Sequence, residues 1–454
     1  MTVDEGLTHR RRAPSLRTNI LGNSAMMVVA QLSGSLFIIL GSIAFEKAQF
    51  GHIVTATAAL VIGATVLNLG TLGSLPHYVA LARNDGNQAR LHRLVAVSLG
   101  AIALACAAGA LMVALSALAL GWPNSGSGAL AAYWLPVCLG MPMLALAKAF
   151  AGVLYGLSRL TSAAFINLVL LRLTPLATMI AIWQLGGPPI AVLVAYTATT
   201  GLMLAAGIVF TWADLRPPGK LTPSPLPSGF LGYTLNCWLT QITMMIRGRG
   251  QAALFALLLT SADVAAVAVA ASLVSPLQSL LNALGPPIRP VATVMIHNRR
   301  HSELPRVHKR VAALATVAVT AAGATGFVYA GDIVITLLGS DYQDTIVYFR
   351  VLILFYAVAV SMGTVNPFLL ALDKPDTLRR IEVFVTLAFL VAVVALVPVF
   401  GPMAAVLAIG AVFLTMQTAK MLAVRREIAL SWYDKRQPLF LLGALVLAVA
   451  AHQG

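Results

Sequence analysis

The feature that most constrains this chain is its repetition of long apolar runs separated by short polar segments. A helix needs about 20 apolar residues to cross the hydrocarbon core of a bilayer. Only 10% of the 454 residues are charged, against about 25% in a soluble domain. The sequence therefore predicts an all-α polytopic membrane protein. We assign twelve spans, at 20–45, 50–82, 94–120, 130–155, 162–184, 189–212, 230–260, 264–285, 311–338, 348–372, 381–399 and 402–424. A thirteenth run, 438–451, is short for a span.

The basic residues predict the orientation of these spans. With the N-terminus in the cytoplasm, 22 of the 30 Lys and Arg residues fall in cytoplasmic segments and one, Lys47, in an external loop. The other seven lie within spans or at their ends. This bias is the positive-inside pattern. Most of the net charge of +15 therefore reflects topology, and nucleic acid is not needed to explain it.

The chain divides into two predicted lobes. The Pro-rich segment 213–229 suits a cytoplasmic linker. It separates an N-terminal lobe of six helices, 1–212, from a C-terminal lobe of six helices, 230–424. The tail, 425–454, contains the weak thirteenth run.

A weak internal repeat supports this division. Pro76 and Pro290 lie near the ends of matching spans at an offset of 214 residues, and Arg159 and Lys374 precede matching spans at an offset of 215. Six helices is an even number, so a duplication would give parallel repeats about an axis along the membrane normal.

Charged residues inside the predicted spans are basic. By these boundaries, each of the fifteen Asp and Glu residues lies in a loop, a tail or at a helix end. A charge at the middle of a membrane helix costs about 2.5–3.5 kcal/mol on insertion scales, so it normally faces a cavity or a partner. Cations without carboxylates need water, backbone carbonyls or an anionic ligand. We predict four substrate-binding residues: Lys148, Arg172, Arg247 and Arg249.

These interior cations have competing explanations. Arg172 lies near the middle of its span, where the alternative role is helix packing. Lys148 lies nearer the cytoplasmic end of its span, and its long stem could instead reach the interface. Arg289, Arg350 and Lys420 lie near span ends, where we interpret them as interfacial anchors.

The run 230–260 is too long for a straight span. Its 31 residues would extend about 46 Å as a helix, which exceeds the core of about 30 Å. Glycine is unfavourable in helix interiors, so Gly248 and Gly250 predict a break beside the two arginines. Broken helices recur at transporter binding sites. The alternative is that the span ends near Ile246 and that the arginines face the exterior.

The sequence offers no recognisable catalytic or metal site. Cys106, Cys138 and Cys237 have no CxxC spacing, and no pair of histidines has the spacing of metal ligands. We find neither a Gly-rich phosphate loop nor a Ser/His/Asp constellation. The prediction is a protein that is not an enzyme and that has no catalytic residue, metal or cofactor.

Four segments carry a further pattern, in packing and loop residues. They are NLGTLGSLPHYVALAR (68–83), GVLYGLSRLTSAAFINLVLLRL (152–173), SADVAAVAVAASL (261–273) with IRPVA (288–292), and NPFLLALDKPDTLRR (366–380). Together they resemble the polysaccharide-transporter branch of the multidrug/oligosaccharidyl-lipid/polysaccharide (MOP) superfamily, the Wzx-type O-antigen and exopolysaccharide flippases. The resemblance covers roughly residues 18–425.

This resemblance implies two six-helix lobes around a central cavity, which opens alternately to each side of the bacterial cytoplasmic (inner) membrane. The implied cargo is an oligosaccharide on a polyprenyl pyrophosphate carrier. The family often has an Asp early in its seventh span, whereas TQITMMIRGRGQ (240–251) has arginines instead. This departure gives no support to a family-based guess about ion coupling.

The predicted function is therefore flipping of a lipid-linked oligosaccharide for surface polysaccharide biosynthesis, by alternating access of a cationic cavity. The expected partners are the polyprenyl-pyrophosphate-linked oligosaccharide and membrane lipid, with a polysaccharide polymerase and glycosyltransferases beside them. Two alternatives stay open. A multidrug/cation antiporter of the same superfamily would need intramembrane carboxylates. A membrane glycosyltransferase or polymerase would usually need a sizeable catalytic loop.

Overall fold

The computed structural model describes residues 29, 32–119, 128–215, 225–248, 250–297, 301–372 and 374–428. These residues form helices and turns, with no strand among them. A π-helical segment, Phe165–Leu173, continues directly from one α-helix into the next. The helices are α1 Leu32–Ala44, α2 Lys47–Leu67, α3 Thr71–Asn84, α4 Gln88–Ala119, α5 Gly128–Gly156, α6 Leu160–Ala164, α7 Thr174–Gln184, α8 Pro189–Trp212, α9 Phe230–Arg247, α10 Gln251–Ala256, α11 Ser261–His297, α12 Leu304–Val328, α13 Ala330–Leu338, α14 Gln343–Ser361, α15 Asn366–Ala371 and α16 Pro375–Arg425.

The predicted all-α polytopic membrane fold is confirmed. In the described part of the chain, nine helical stretches are long and apolar enough to cross a membrane. One of them, Asp376–Arg425, contains a kink at Gly401, whose φ of 62° and ψ of −149° are not helical. The kink lies at the predicted boundary between the last two spans. The predicted thirteenth run, 438–451, lies outside the described residues.

The predicted span 50–82 is broken into α2 and α3. Gly70 at the break has a φ of 79°, a conformation that favours glycine. α9 approaches so closely here that a Cβ on Gly70 would lie 2.3 Å from the carbonyl oxygen of Thr234. The indole Nε1 of Trp238 donates a hydrogen bond of 2.9 Å to the carbonyl oxygen of Val66, one of the groups freed at the end of α2.

The predicted break in the seventh span is confirmed. α9 ends at Arg247, and α10 begins at Gln251. Gly248 between them has a φ of −100° and a ψ of −117°, which are not helical. A Cβ on Gly250 would lie 2.8 Å from the carbonyl oxygen of Met245, so the turn fits a glycine there.

Other helix bounds also differ from the prediction. The predicted span 311–338 forms α12 and α13, and the predicted span 348–372 forms α14 and α15. α16 begins at Pro375, earlier than the predicted start at 381. Proline suits the first turn of a helix because its missing amide hydrogen has no partner there. Glu382 consequently lies about two turns inside the helix.

The chain has a set of N-terminal helices, α1–α8, and a set of C-terminal helices, α9–α16. Within the first set, α2 packs against helices of both sets. Its Ile53 belongs to an apolar core that includes residues of α10, α11, α14 and α16. Its Leu60 belongs to a second core with residues of α3, α4, α5 and α8. Near the start of α2, a Cβ on Gly51 would lie 1.9 Å from the carbonyl oxygen of Ser261. The two sets of helices therefore meet at both ends of α2.

Helix ends recur at an offset close to that of the sequence repeat. α5 ends at Gly156 and α15 ends at Ala371, 215 residues later. α6 begins at Leu160 and α16 begins at Pro375, again 215 residues later. The division into lobes joined by a linker at 213–229 remains our proposal, since residues 216–224 lie outside the described residues.

Candidate functional site

A cavity of about 430 Å³ lies where the two sets of helices meet. α1, α2, the π-helical segment, α7 and α8 line it on one side, and α9, α10, α11, α14 and α16 line it on the other. Its wall mixes apolar side chains with neutral polar groups that include Tyr196, Gln251 and Gln278. Among the described residues, its charged lining residues are Arg172 and Arg247, one from each side. Cavities in which polar groups converge among apolar side chains are typical of ligand sites.

Arg172 reaches the cavity from a widened stretch of helix. It lies in the π-helical segment, three residues before Pro175. Proline cannot donate a backbone hydrogen bond, and its ring clashes with the carbonyl four residues earlier, that of Leu171. π-helical turns relieve such conflicts and are frequent at functional sites. Leu171, Arg172 and Pro175 all line the cavity.

Arg247 reaches the cavity from the end of α9. Its Nη2 lies 3.7 Å from Oε2 of Glu382. Its Nε donates to the carbonyl oxygen of Thr243 at 3.3 Å, and its own carbonyl oxygen accepts a hydrogen bond from the side-chain amide of Gln251. The helix break therefore places the guanidinium between the cavity and a buried carboxylate.

Glu382 also binds Lys420. The Nζ of Lys420 lies 3.2 Å from Oε1 of Glu382. Both residues lie on α16, on opposite sides of its kink at Gly401. We call these three side chains the Arg247–Glu382–Lys420 cluster. One carboxylate faces two cations, so the cluster has a formal charge of +1.

This cluster corrects two predictions. The prediction that every carboxylate lies in a loop, a tail or at a helix end is wrong for Glu382, which is 3% exposed inside α16. The interpretation of Lys420 as an interfacial anchor is also wrong, because Lys420 is 5% exposed and its ammonium binds Glu382. The available sequence signal is Pro375, which favours a helix start early enough to enclose Glu382.

Lys148 does not lie on the cavity wall among the described residues. It is buried, and its Nζ donates to Oγ1 of Thr65 at 3.1 Å. The ammonium therefore links α5 to α2 and is not exposed at the surface of the protein. Thr65 lies one helical turn after Val61, a residue of the cavity wall. Lys148 therefore adds positive charge behind the wall instead of a direct contact.

Arg350 does not line the described cavity, and two other predicted interior cations cannot be compared with it because they fall outside the described part of the chain. Arg249 lies outside the described residues, and so does the side chain of Arg289. The Nε of Arg350 donates to the carbonyl oxygen of Phe327 at 3.2 Å, and its guanidinium lies 5.5 Å from the centre of the Phe327 ring. Arg350 thus binds the end of α12 and does not line the described cavity.

The chemistry of the site is that of two cationic donors in a cavity with both polar and apolar walls. A guanidinium binds phosphate or carboxylate groups through two parallel hydrogen bonds and stays charged when it is buried. In the described part of the chain, no group of three or more His, Cys, Asp or Glu side chains could hold a metal ion. Arg172 and Arg247 therefore present two guanidinium groups, the kind of side chain that binds anions, to one cavity.

No protein-family model and no curated protein matches the sequence. Solved structures share its fold. The lipid II flippase MurJ in an inward closed conformation has a TM-score of 0.70 at 11% identity, over 94% of this chain and 92% of that chain. An inward-facing multidrug resistance MATE family transporter of the MOP superfamily has a TM-score of 0.64 at 15% identity, over 91% and 98%.

A third similar structure is a MOP superfamily transporter from Pyrococcus furiosus, for which a reverse polarity of the binding pocket suggests a different function. Its TM-score is 0.60 at 15% identity, over 91% of this chain and 96% of that chain. At these identities the likeness establishes the fold. The chain is a multi-pass membrane protein with the fold of MOP-superfamily transporters.

Proposed function

We propose that this protein translocates a lipid-linked oligosaccharide across the bacterial cytoplasmic membrane for surface polysaccharide biosynthesis. The supporting observation is that Arg172 and Arg247, which come from opposite sides, line one cavity. A pyrophosphate or acidic sugar bound there would contact both sets of helices. Cargo binding would then favour one arrangement of the helices over another, as alternating access requires.

The charge of the described interior supports an anionic cargo. Lys148, Arg172, Arg247 and Lys420 are opposed by one buried carboxylate, that of Glu382. Fixed positive charge in a cleft with low-dielectric walls raises the local concentration of anions. A volume of about 430 Å³ suits a pyrophosphate with its nearest sugars, while the polyprenyl chain stays in the lipid. The fold shared with a lipid II flippase is consistent with such a cargo.

A multidrug/cation antiporter is the second candidate. Glu382 favours it, because cation coupling needs a buried carboxylate, and a MATE family transporter has the same fold. The two oxygens of Glu382, however, face Arg247 and Lys420, so resident cations already neutralise the carboxylate. We therefore prefer the anionic cargo.

Export assays on arginine variants test the proposal. Deleting the gene should accumulate undecaprenyl-linked oligosaccharide on the cytoplasmic leaflet. In complemented cells, lysine at position 172 or 247 should keep the charge but lose the paired hydrogen bonds, and alanine should lose both. The expected order of export is wild type, then lysine, then alanine, at equal protein level. Arg350→Ala is the matched control, because Arg350 contacts Phe327 and does not line the described cavity.

Two results would contradict the proposal. The first is wild-type export by the double variant Arg172→Ala with Arg247→Ala. The second is a deletion strain that has normal surface polysaccharide and raised sensitivity to cationic drugs, which would instead support the antiporter.

A further inference from the structure

Glu382 is shared unequally between its two cations. Its Oε1 accepts a hydrogen bond of 3.2 Å from Lys420. Its Oε2 lies 3.7 Å from Nη2 of Arg247, which is beyond the usual range of a hydrogen bond. The carboxylate is therefore held firmly by Lys420 and loosely by Arg247.

The three side chains also differ in their access to the cavity. The Arg247 side chain is 14% exposed and lines the cavity. Glu382 and Lys420, with side chains 4% and 6% exposed, are not among the residues that line it. An anion that enters the cavity consequently reaches Arg247 before the other two members of the cluster.

We propose that Glu382 is a resident counter-ion for Arg247, which holds the arginine while the cavity is empty and releases it to the anionic group of the cargo. This inference rests on the proposed function and adds a regulatory step to the same site. A buried carboxylate without a partner would be strongly unfavourable. Release of Arg247 avoids this cost, because the ion pair between Lys420 and Glu382 remains. The guanidinium gains paired, charge-assisted hydrogen bonds to the cargo in exchange.

The exchange would link cargo binding to helix packing. Arg247 ends α9, whereas Glu382 and Lys420 lie on the two parts of α16. With the cavity empty, the Arg247–Glu382 ion pair ties α9 to α16. When the cargo binds Arg247, the ion pair with Glu382 is lost, and the break at Gly248 allows α9 to move relative to α16. The cluster would thus lower the barrier to movement only when an anion is present.

Binding of geranylgeranyl pyrophosphate to the purified full-length protein tests the exchange. Glu382→Gln removes the competitor, so the affinity should rise about tenfold, as expected for a competitor worth about 1.4 kcal/mol. Lys420→Met removes the other partner of Glu382, which should then hold Arg247 more firmly, so the affinity should fall. A purely structural cluster predicts instead that both variants weaken binding.

The double variant Glu382→Gln with Lys420→Met is the matched control. It keeps the local charge at +1, so an increased affinity cannot come from added positive charge. The double variant also removes both members of a buried ion pair and so leaves neither charge without a partner. It can therefore replace the single variant in the test if the single variant does not fold. We expect it to bind more tightly than the wild type. In an Arg247→Ala background, Glu382→Gln should have no effect on affinity.

The outcomes separate this inference from the proposed function. If Arg247→Ala weakens binding while the double variant binds no more tightly than the wild type, the counter-ion role is overturned and the anion site stands. If Arg247→Ala binds geranylgeranyl pyrophosphate like the wild type, the proposed anion site fails, and the counter-ion role fails with it.

Discussion

Replacing Gly70 with alanine should separate the two sets of helices at one end of the cavity. Gly70 has a φ of 79°, and a left-handed conformation costs an alanine about 1–2 kcal/mol. The new Cβ would lie 2.3 Å from the Thr234 carbonyl oxygen and 2.6 Å from the Trp238 backbone nitrogen. Both are backbone atoms of α9, so the helix itself must move. Overpacking of this kind costs about 1–3 kcal/mol more.

Gly86 provides a matched control for the conformational part of this effect. It has a φ of 64°, but no atom lies within 4 Å of the position of its Cβ. Gly86→Ala therefore carries the left-handed cost without the collision. The difference between the two variants, about 1–3 kcal/mol, corresponds to a shift of about 5–150-fold in the equilibrium between closed and open arrangements at this end.

Disulfide formation between Gly73→Cys and the native Cys237 measures this equilibrium. A Cβ on Gly73 would lie 3.0 Å from the Cβ of Cys237, and disulfides need about 3.5–4.5 Å, so a small adjustment allows the bond. With Cys106 and Cys138 changed to alanine, mild oxidation in membranes should cross-link α3 to α9. When Gly86→Ala is added to this cysteine variant, the cross-linking rate should stay near that of the variant without it. When Gly70→Ala is added instead, the cross-linking rate should fall at least about fivefold. Equal rates in the two variants would refute the argument that α9 rests against Gly70.

Two further predictions concern orientation and the other end of the cavity. A cysteine at Ser224 should react with a membrane-impermeant thiol reagent only from the cytoplasm, and one at Ser125 only from the exterior; external labelling at Ser224 would reverse the predicted topology. Gly51→Ala should loosen the contact between α2 and α11, because its Cβ would lie 1.9 Å from the Ser261 carbonyl oxygen. A cysteine at Ser261 should then become more reactive, and unchanged reactivity would show that this contact does not hold that end together.

The sequence alone determined the all-α membrane fold, the approximate positions of its apolar helices and the break in α9. A span must be apolar along its own length and must satisfy its backbone hydrogen bonds internally, so both requirements act on neighbouring residues. The break at Gly248 follows from an excess of helix length together with two glycines. The position of Arg172 in the cavity wall could also be predicted, because a cation at mid-span has few favourable surroundings other than a cavity or a partner.

The tertiary structure decided which charges meet and where other helices break. Glu382, Lys420 and Arg247 lie far apart in sequence, and they pair because the two parts of α16 approach each other and α16 packs against α9. Lys148 turns to Thr65 because α5 packs on α2, and no periodicity in the sequence distinguishes that contact from a cavity position. The break at Gly70 depends on the close approach of α9. Such contacts depend on lateral packing between helices, whereas hydropathy and charge bias report only how each segment meets the membrane.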